Sequence, residues 1–188
     1  SQLGLKTACI EKDKVGGICL NWGCIPTKAL LKNAEILNHI KHSSDFGVTI
    51  SSYEINFDKV IKRSRAVADR LSKGVEMLFK KNNITKLSGT AKFLSKNEIE
   101  ISGENNTEII WADKIIIATG ARSRTIPGIS FDGDKIISSK EAMVLPAAPK
   151  SLKIVGAGAI GVEFAYFYNT FGTKVTLIEM MPKILPVE

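Results

Sequence analysis

Two cysteines spaced to react with each other stand near the start of the chain, in Gly16-Gly17-Ile18-Cys19-Leu20-Asn21-Trp22-Gly23-Cys24-Ile25-Pro26-Thr27-Lys28. The C-x₄-C spacing differs from the C-x₂-C of zinc knuckles and thioredoxin-type motifs. Placed at a helix start, the two sulfurs can meet in a small ring over a distorted first turn. Cys24, nearer the helix N-terminus and four residues before Lys28, lies where the macrodipole and a cation favour an anion. An asymmetric pair suits thiol–disulfide exchange, in which one sulfur attacks a substrate while the other stays beside an electron acceptor. Two small buried thiols fit the spacing equally well.

A second chemical signal lies at Gly156-Ala157-Gly158-Ala159-Ile160-Gly161. The run follows the strand-like Ser151 to Val155 and opens a helix to Phe171 with Ile160, Phe164, Phe167 and Phe171 on one face. Gly172 can cap that helix, and the strand Lys174 to Ile178 ends on Glu179. A G-x-G-x-x-G in this strand–turn–helix–strand–acid setting is a dinucleotide site. Gly156 allows the tight turn, Gly158 lets a pyrophosphate approach the backbone, and Gly161 allows close helix–strand packing. The pyrophosphate would rest at the helix N-terminus over Ile160. Glu179 would accept hydrogen bonds from the adenosine ribose and repel a 2′-phosphate, which favours NAD over NADP; Lys183 weighs the other way.

The elements that must position these groups follow from periodicity. Lys6 to Glu11 reads as a strand, and Leu30, Ala34, Leu37 and Ile40 mark a helix opening near Pro26. A longer helix keeps Phe57, Val60, Ile61, Val67, Ala68, Leu71, Val75, Leu78 and Phe79 on one face, with lysines and arginines on the other. Strands are expected over 87–93, 98–101, 108–111 and 114–118, and residues 121–150 read as a linker. Gly4, Lys6, Ile10 and Glu11 recur as Gly172, Lys174, Ile178 and Glu179, each at an offset of 168 residues. The N-terminus thus reads as the second half of another dinucleotide module. The expectation is a piece of a larger protein, with the module's first strand and glycine turn upstream of Ser1.

Composition excludes several classes. The 188 residues carry 26 Lys and Arg against 19 Asp and Glu, a net +7, with 44% hydrophobic residues. That is a folded soluble composition, not a disordered one. No run of about 18 apolar residues exists to cross a membrane. Three cysteines are too few for a four-thiolate zinc site or a disulfide-stapled scaffold. The basic excess is mostly lysine spread along the chain, which argues against a nucleic-acid partner. His39 and His42 read as surface residues.

The segment G-G-x-C-x-N-x-G-C-x-P-x-K resembles the redox-active disulfide of the flavin-dependent pyridine nucleotide–disulfide oxidoreductases. With Leu20, Ile25 and Thr27-Lys28-Ala29-Leu30-Leu31, it is most similar to members that oxidise dihydrolipoamide, rather than to those acting on glutathione or mercuric ion. Ile18 and Trp22 depart from the Thr and Val common there. The resemblance covers essentially the whole chain. It implies an α/β fold of Rossmann-like dinucleotide-binding modules of three-layer ββα type. Residues 1–149 would be an FAD-binding domain lacking its first strand and glycine turn, and 150–188 the first half of an NAD-binding domain.

It also implies roles residue by residue. Cys19 would be the interchange thiol and Cys24 its flavin-side partner. Lys28 would sit near the flavin, paired with Glu163. Glu11, Lys12, Gly16, Gly17 and Cys19 would line the FAD ribose and pyrophosphate, with Ala91, Thr119, Gly120 and Ala121 also against FAD. Gly156, Gly158, Ile160, Gly161, Glu163 and Glu179 would serve NAD. The implied partners are a lipoyl-bearing acyltransferase of a 2-oxoacid dehydrogenase complex, or a glycine-cleavage lipoyl carrier, and a second copy in a homodimer. The implied setting is a bacterial cytoplasm or the mitochondrial matrix. A His–Glu acid–base pair would follow Glu188, so the chain alone is expected to be inactive.

Overall fold

The computed structural model describes residues 1–185; residues 186–188, the end of the expected second domain, lie outside them. The chain divides into two compact units, one of residues 1–21 and 69–122, the other of 22–68 and 123 onward.

In the first unit, β1 (Ala8–Glu11) pairs in parallel with β2 (Thr85–Ser88), Ala8 opposite Thr85 and Glu11 opposite Ser88. The strand expected over 87–93 is two strands. Gly89, at φ +153°, breaks it, and a Cβ there would come within 2.7 Å of the Ser102 carbonyl oxygen. β3 (Thr90–Phe93), β4 (Glu98–Ser102) and β5 (Thr107–Trp111) then form an antiparallel meander with β4 central. Alternation along β4 buries Ile99 and Ile101 on one face, as period two requires.

The strand expected over 114–118 does not form. An apolar run becomes a strand only where a neighbour accepts its amides, and none does so among the described residues. Ile116 and Ile117 are left exposed. This unit also holds most of α1 (Gly17–Trp22), a short helix that periodicity did not announce, and the later part of α3 (Phe57–Lys81).

The second unit holds α2 (Cys24–Lys41), the first part of α3, and the single-turn α4 (Ser139–Ala142) within the expected linker. Ser138 and Glu141 cap α4 reciprocally, each side chain bonded to the other's end of the turn. β6 (Ser151–Val155), α5 (Ala159–Thr170) and β7 (Lys174–Ile178) form a β-α-β unit with parallel strands, Ser151 opposite Lys174 and Val155 opposite Ile178.

Its core joins Leu30 and Ala34 of α2, Ile61 of α3, Ala142 and Met143, and Phe164, Phe167 and Tyr168 of α5. Each large side chain buried here stabilises by about 1.5–3 kcal/mol. The Tyr168 hydroxyl donates to the Ala142 carbonyl, and burial pushes the phenol above its ordinary pKa. The face expected for α5 forms at Phe164, Phe167 and Phe171, and Tyr168 joins it, but Ile160 in the first turn is exposed. On α3 the buried stripe is Ile61, Ser64, Ala68 and Ser72, while Leu71 and Leu78 face outward. Of the two buried serines, Ser72 donates its hydroxyl to the Val15 carbonyl at 2.8 Å.

Candidate functional site

The glycine turn after β6 is built as its spacing demands. Gly156 holds φ +105°, and its N–H donates to the Ile178 carbonyl at 2.8 Å, extending the β6–β7 ladder by one bond. Gly158 is the N-cap of α5, in extended conformation and with no side chain capping the helix. A Cβ on Gly161 would stand 1.9 Å from the Gly156 carbonyl oxygen. Only glycine fits there. Without a capping side chain, the first-turn amides of α5 are offered to an anion.

Glu179, at the end of β7, closes this turn. One carboxylate oxygen accepts from the Ala157 N–H at 2.7 Å, the other from the Met181 N–H at 2.8 Å. The Met181 amide, then those of Ala157 and Met180, hold its carboxyl below the usual range. Ala157 is fully buried, and its carbonyl accepts from the Leu185 N–H at 2.8 Å. The acid and the turn are one hydrogen-bonded structure, open on the α5 side.

The repeat seen in the sequence has a structural counterpart. Gly4 and Gly172 both adopt left-handed backbone, at φ +83° and +92°. Each precedes a strand ending in an acid, and Glu11 accepts from the Asp13 N–H at 2.9 Å as Glu179 does from Met181. The shared turn chemistry accounts for the matching glycines and acids.

The cysteine segment spans both units. Cys24 is the first residue of α2, with Gly23 as an N-cap lacking a side chain. Thr27 ties the turn down, its N–H and hydroxyl both donating to the Gly23 carbonyl. One turn on, the Lys28 ammonium bonds the Glu163 carboxylate of α5. Cys19 lies on α1 behind Gly16 and Gly17, which hold φ +100° and +62°. Both cysteines are exposed, so the reading as two small buried thiols falls away.

Within the first unit, Gly120 (φ +73°) of the Thr119-Gly120-Ala121 turn backs onto α1: a Cβ there would lie 3.3 Å from Ile18 Cδ1. Lys12 is exposed beyond Glu11, and Ala91 is exposed on β3 opposite Ile101. Sequence reasoning gave no role to Asn21 and Ser72, which are buried polar residues beside the Gly16-Gly17 loop. A serine in an otherwise apolar helical stripe was the available signal. His39 and His42 are both exposed, His39 lying 3.7 Å from Glu35. Among the described residues no group of His, Cys, Asp and Glu could hold a metal ion, and no helix is long and apolar enough to cross a membrane.

A β-α-β turn with an uncapped helix N-terminus and a terminal acid defines an α/β dinucleotide-binding protein. The chain belongs to the pyridine nucleotide-disulphide oxidoreductase family, whose model matches residues 1–188. It is 46% identical to a dihydrolipoyl dehydrogenase of Chlorobaculum parvum over 98% of its length, and 48% identical to one of Rhizobium etli over all of it. It spans 40% and 42% of those relatives. A solved structure of LpdA from Mycobacterium tuberculosis shares the fold at a TM-score of 0.87 with 22% identity, over 97% of this chain and 40% of that one. The HOCl-induced flavoprotein disulfide reductase RclA of Escherichia coli matches at 0.81 with 31% identity, over 100% and 39%.

Proposed function

We propose that this chain carries the redox disulfide and part of the nucleotide-binding surface of an enzyme that oxidises protein-bound dihydrolipoamide with NAD⁺. The observation that supports it most is the pair of exposed cysteines ahead of a Lys28–Glu163 ion pair, together with relatives named dihydrolipoyl dehydrogenase. Residues 1–149 would serve FAD and 150–188 would begin the NAD-binding domain.

The chain's own chemistry is disulfide exchange. A substrate thiolate attacks the Cys19 sulfur of a Cys19–Cys24 disulfide, forming a mixed disulfide and releasing Cys24 as thiolate. The second substrate thiolate attacks the substrate sulfur of that mixed disulfide, closing the lipoyl ring and releasing Cys19. Two electrons pass to the cysteine pair, and the substrate's two protons are released to bases. Bound FAD would accept that electron pair and pass a hydride to NAD⁺.

Glu11, Lys12, Gly16, Gly17, Ala91, Thr119, Gly120 and Ala121 would hold FAD. The left-handed glycines at 16, 17 and 120 suit close approach of a phosphate or ring to backbone. Lys28 would place a cation beside the flavin, and Glu163 offsets the cost of holding it there. For NAD, Gly156, Gly158, Ile160 and Gly161 would present α5 amides to the pyrophosphate, and Glu179 would take the ribose diol. The proposed partners are a lipoyl-bearing acyltransferase and a second copy of the subunit, in a bacterial cytoplasm.

The test is the FAD-loaded enzyme containing this chain. Dihydrolipoamide should reduce NAD⁺, and Cys19→Ser should abolish that while leaving FAD bound. Turnover with glutathione or mercuric ion and none with lipoamide would overturn the substrate assignment.

A further inference from the structure

Asn21 lies between the two cysteines in sequence and is buried, only 4% exposed. Its amide Nδ2 donates to the Val15 carbonyl at 3.0 Å and to the Gly17 carbonyl at 3.0 Å, with the Lys14 carbonyl at 3.5 Å. The Ser72 hydroxyl, arriving from α3, donates to the same Val15 carbonyl at 2.8 Å. Val15 is itself buried, and both lone pairs of its carbonyl are used. Lys14 makes an exposed ion pair on the same side of the loop, its ammonium 2.9 Å from Asp69 of α3.

The consequence falls on Cys19. Gly16 and Gly17 hold left-handed backbone, and a Cβ on Gly16 would press on Leu20 Cδ1 at 2.8 Å. A six-residue helix cannot hold its own N-terminus, because nucleation costs more than one turn returns. α1 is fixed at its start by the Asn21 amide reaching back over one turn, and the loop is fixed from behind by Ser72.

We propose that Asn21, seconded by Ser72, is a positioning residue for Cys19: it joins the Gly16-Gly17 loop and the thiol-bearing helix into one rigid piece. The inference rests on the reading of Cys19 and Cys24 as an exchanging pair. Disulfide closure depends on the effective concentration of one thiol at the other, so loosening Cys19 makes the disulfide easier to reduce. A ligand that orders the Gly16-Gly17 loop orders Cys19 with it.

The experiment is a redox titration of the chain in lipoate/dihydrolipoate buffers, read by the mass of alkylated cysteines, well below the thermal midpoint of every variant. The wild-type chain should form a Cys19–Cys24 disulfide; its failure to do so would sink the exchanging-pair reading itself. Asn21→Asp keeps the shape but replaces the donor with an acceptor facing three carbonyls. It should shift the midpoint ratio at least tenfold toward the oxidised buffer. Ser72→Ala, far from either cysteine in sequence, should shift it the same way by a smaller factor and speed hydrogen exchange at 15–19. Should Asn21→Asp fail to fold, Ser72→Ala carries the test alone. A wild-type disulfide with unshifted midpoints in the folded variants would overturn the proposal.

Discussion

The Lys28 ammonium rests on the Glu163 carboxylate, joining the second turns of two helices, α2 and α5, that share one core. Lys28 is 61% exposed and Glu163 26%, so solvent screens most of their attraction. A double-mutant cycle with Lys28→Gln and Glu163→Gln, measured by denaturant unfolding, should return a coupling of about 0.3–1 kcal/mol. A coupling of several kcal/mol would make the pair a structural clamp. A small value would leave the pair's placement to be explained by chemistry at the cysteine end of α2.

Gly161 and Gly158 should separate folding from binding. Gly161→Ala drives a methyl into the Gly156 carbonyl oxygen, which backbone cannot yield without moving β6 or α5. The expected loss is about 3 kcal/mol, the upper range for forced overpacking. Gly158→Ala meets nothing within 4 Å and has φ −72°, which alanine adopts freely. As an N-cap change it should cost no more than about 1 kcal/mol and weaken NADH binding by about tenfold, its methyl standing at the uncapped helix start. Calorimetric titration of both variants, with their unfolding curves, checks the pair. Equal losses of stability would refute the distinction.

Glu179 gives the second unit a dependence on acid. Its folded carboxyl lies below the ordinary value of about 4.3 because the Met181 amide, then those of Ala157 and Met180, bond the ionised form. The stabilisation is therefore complete above the unfolded pKa and is lost as pH falls through the folded one. Thermal midpoints should fall from about pH 5 downward, and Glu179→Gln should flatten that slope while lowering the midpoint near neutrality. A Gln variant with the wild-type acid slope would place the titration elsewhere.

Much of this was legible because it is local. The β-α-β turn is specified within 29 residues by glycines and an acid, each needed by a single backbone conformation, and the structure forms β6, α5 and β7 where expected. What was misread depends on partners distant in sequence. Ile116 and Ile117 look like a strand until one asks what accepts their amides. Leu71 looks like core until the close approach of Val15 claims the adjacent Ser72 for the interior. Asn21 carried no periodic signal, since two of its three carbonyls, those of Lys14 and Val15, belong to the irregular loop before α1. The Lys28–Glu163 pair lies 135 residues apart in sequence, so only resemblance could suggest it.

The three cysteines should separate by reactivity. Cys19 and Cys24 are exposed at or near helix starts, whereas Cys9 is half-buried in β1. Burial raises the Cys9 thiol pKa, and the Glu11 carboxylate raises it further, with Lys86 only partly offsetting them. Less thiolate at Cys9 and less access both slow alkylation. After reduction, iodoacetamide at pH 8 should modify Cys19 and Cys24 well before Cys9, read by peptide mass. Without reduction the order should invert, because a Cys19–Cys24 disulfide leaves Cys9 as the sole thiol to react. Early labelling of Cys19 or Cys24 in the air-oxidised chain would show that no such bond forms, and with it the exchange chemistry would fail.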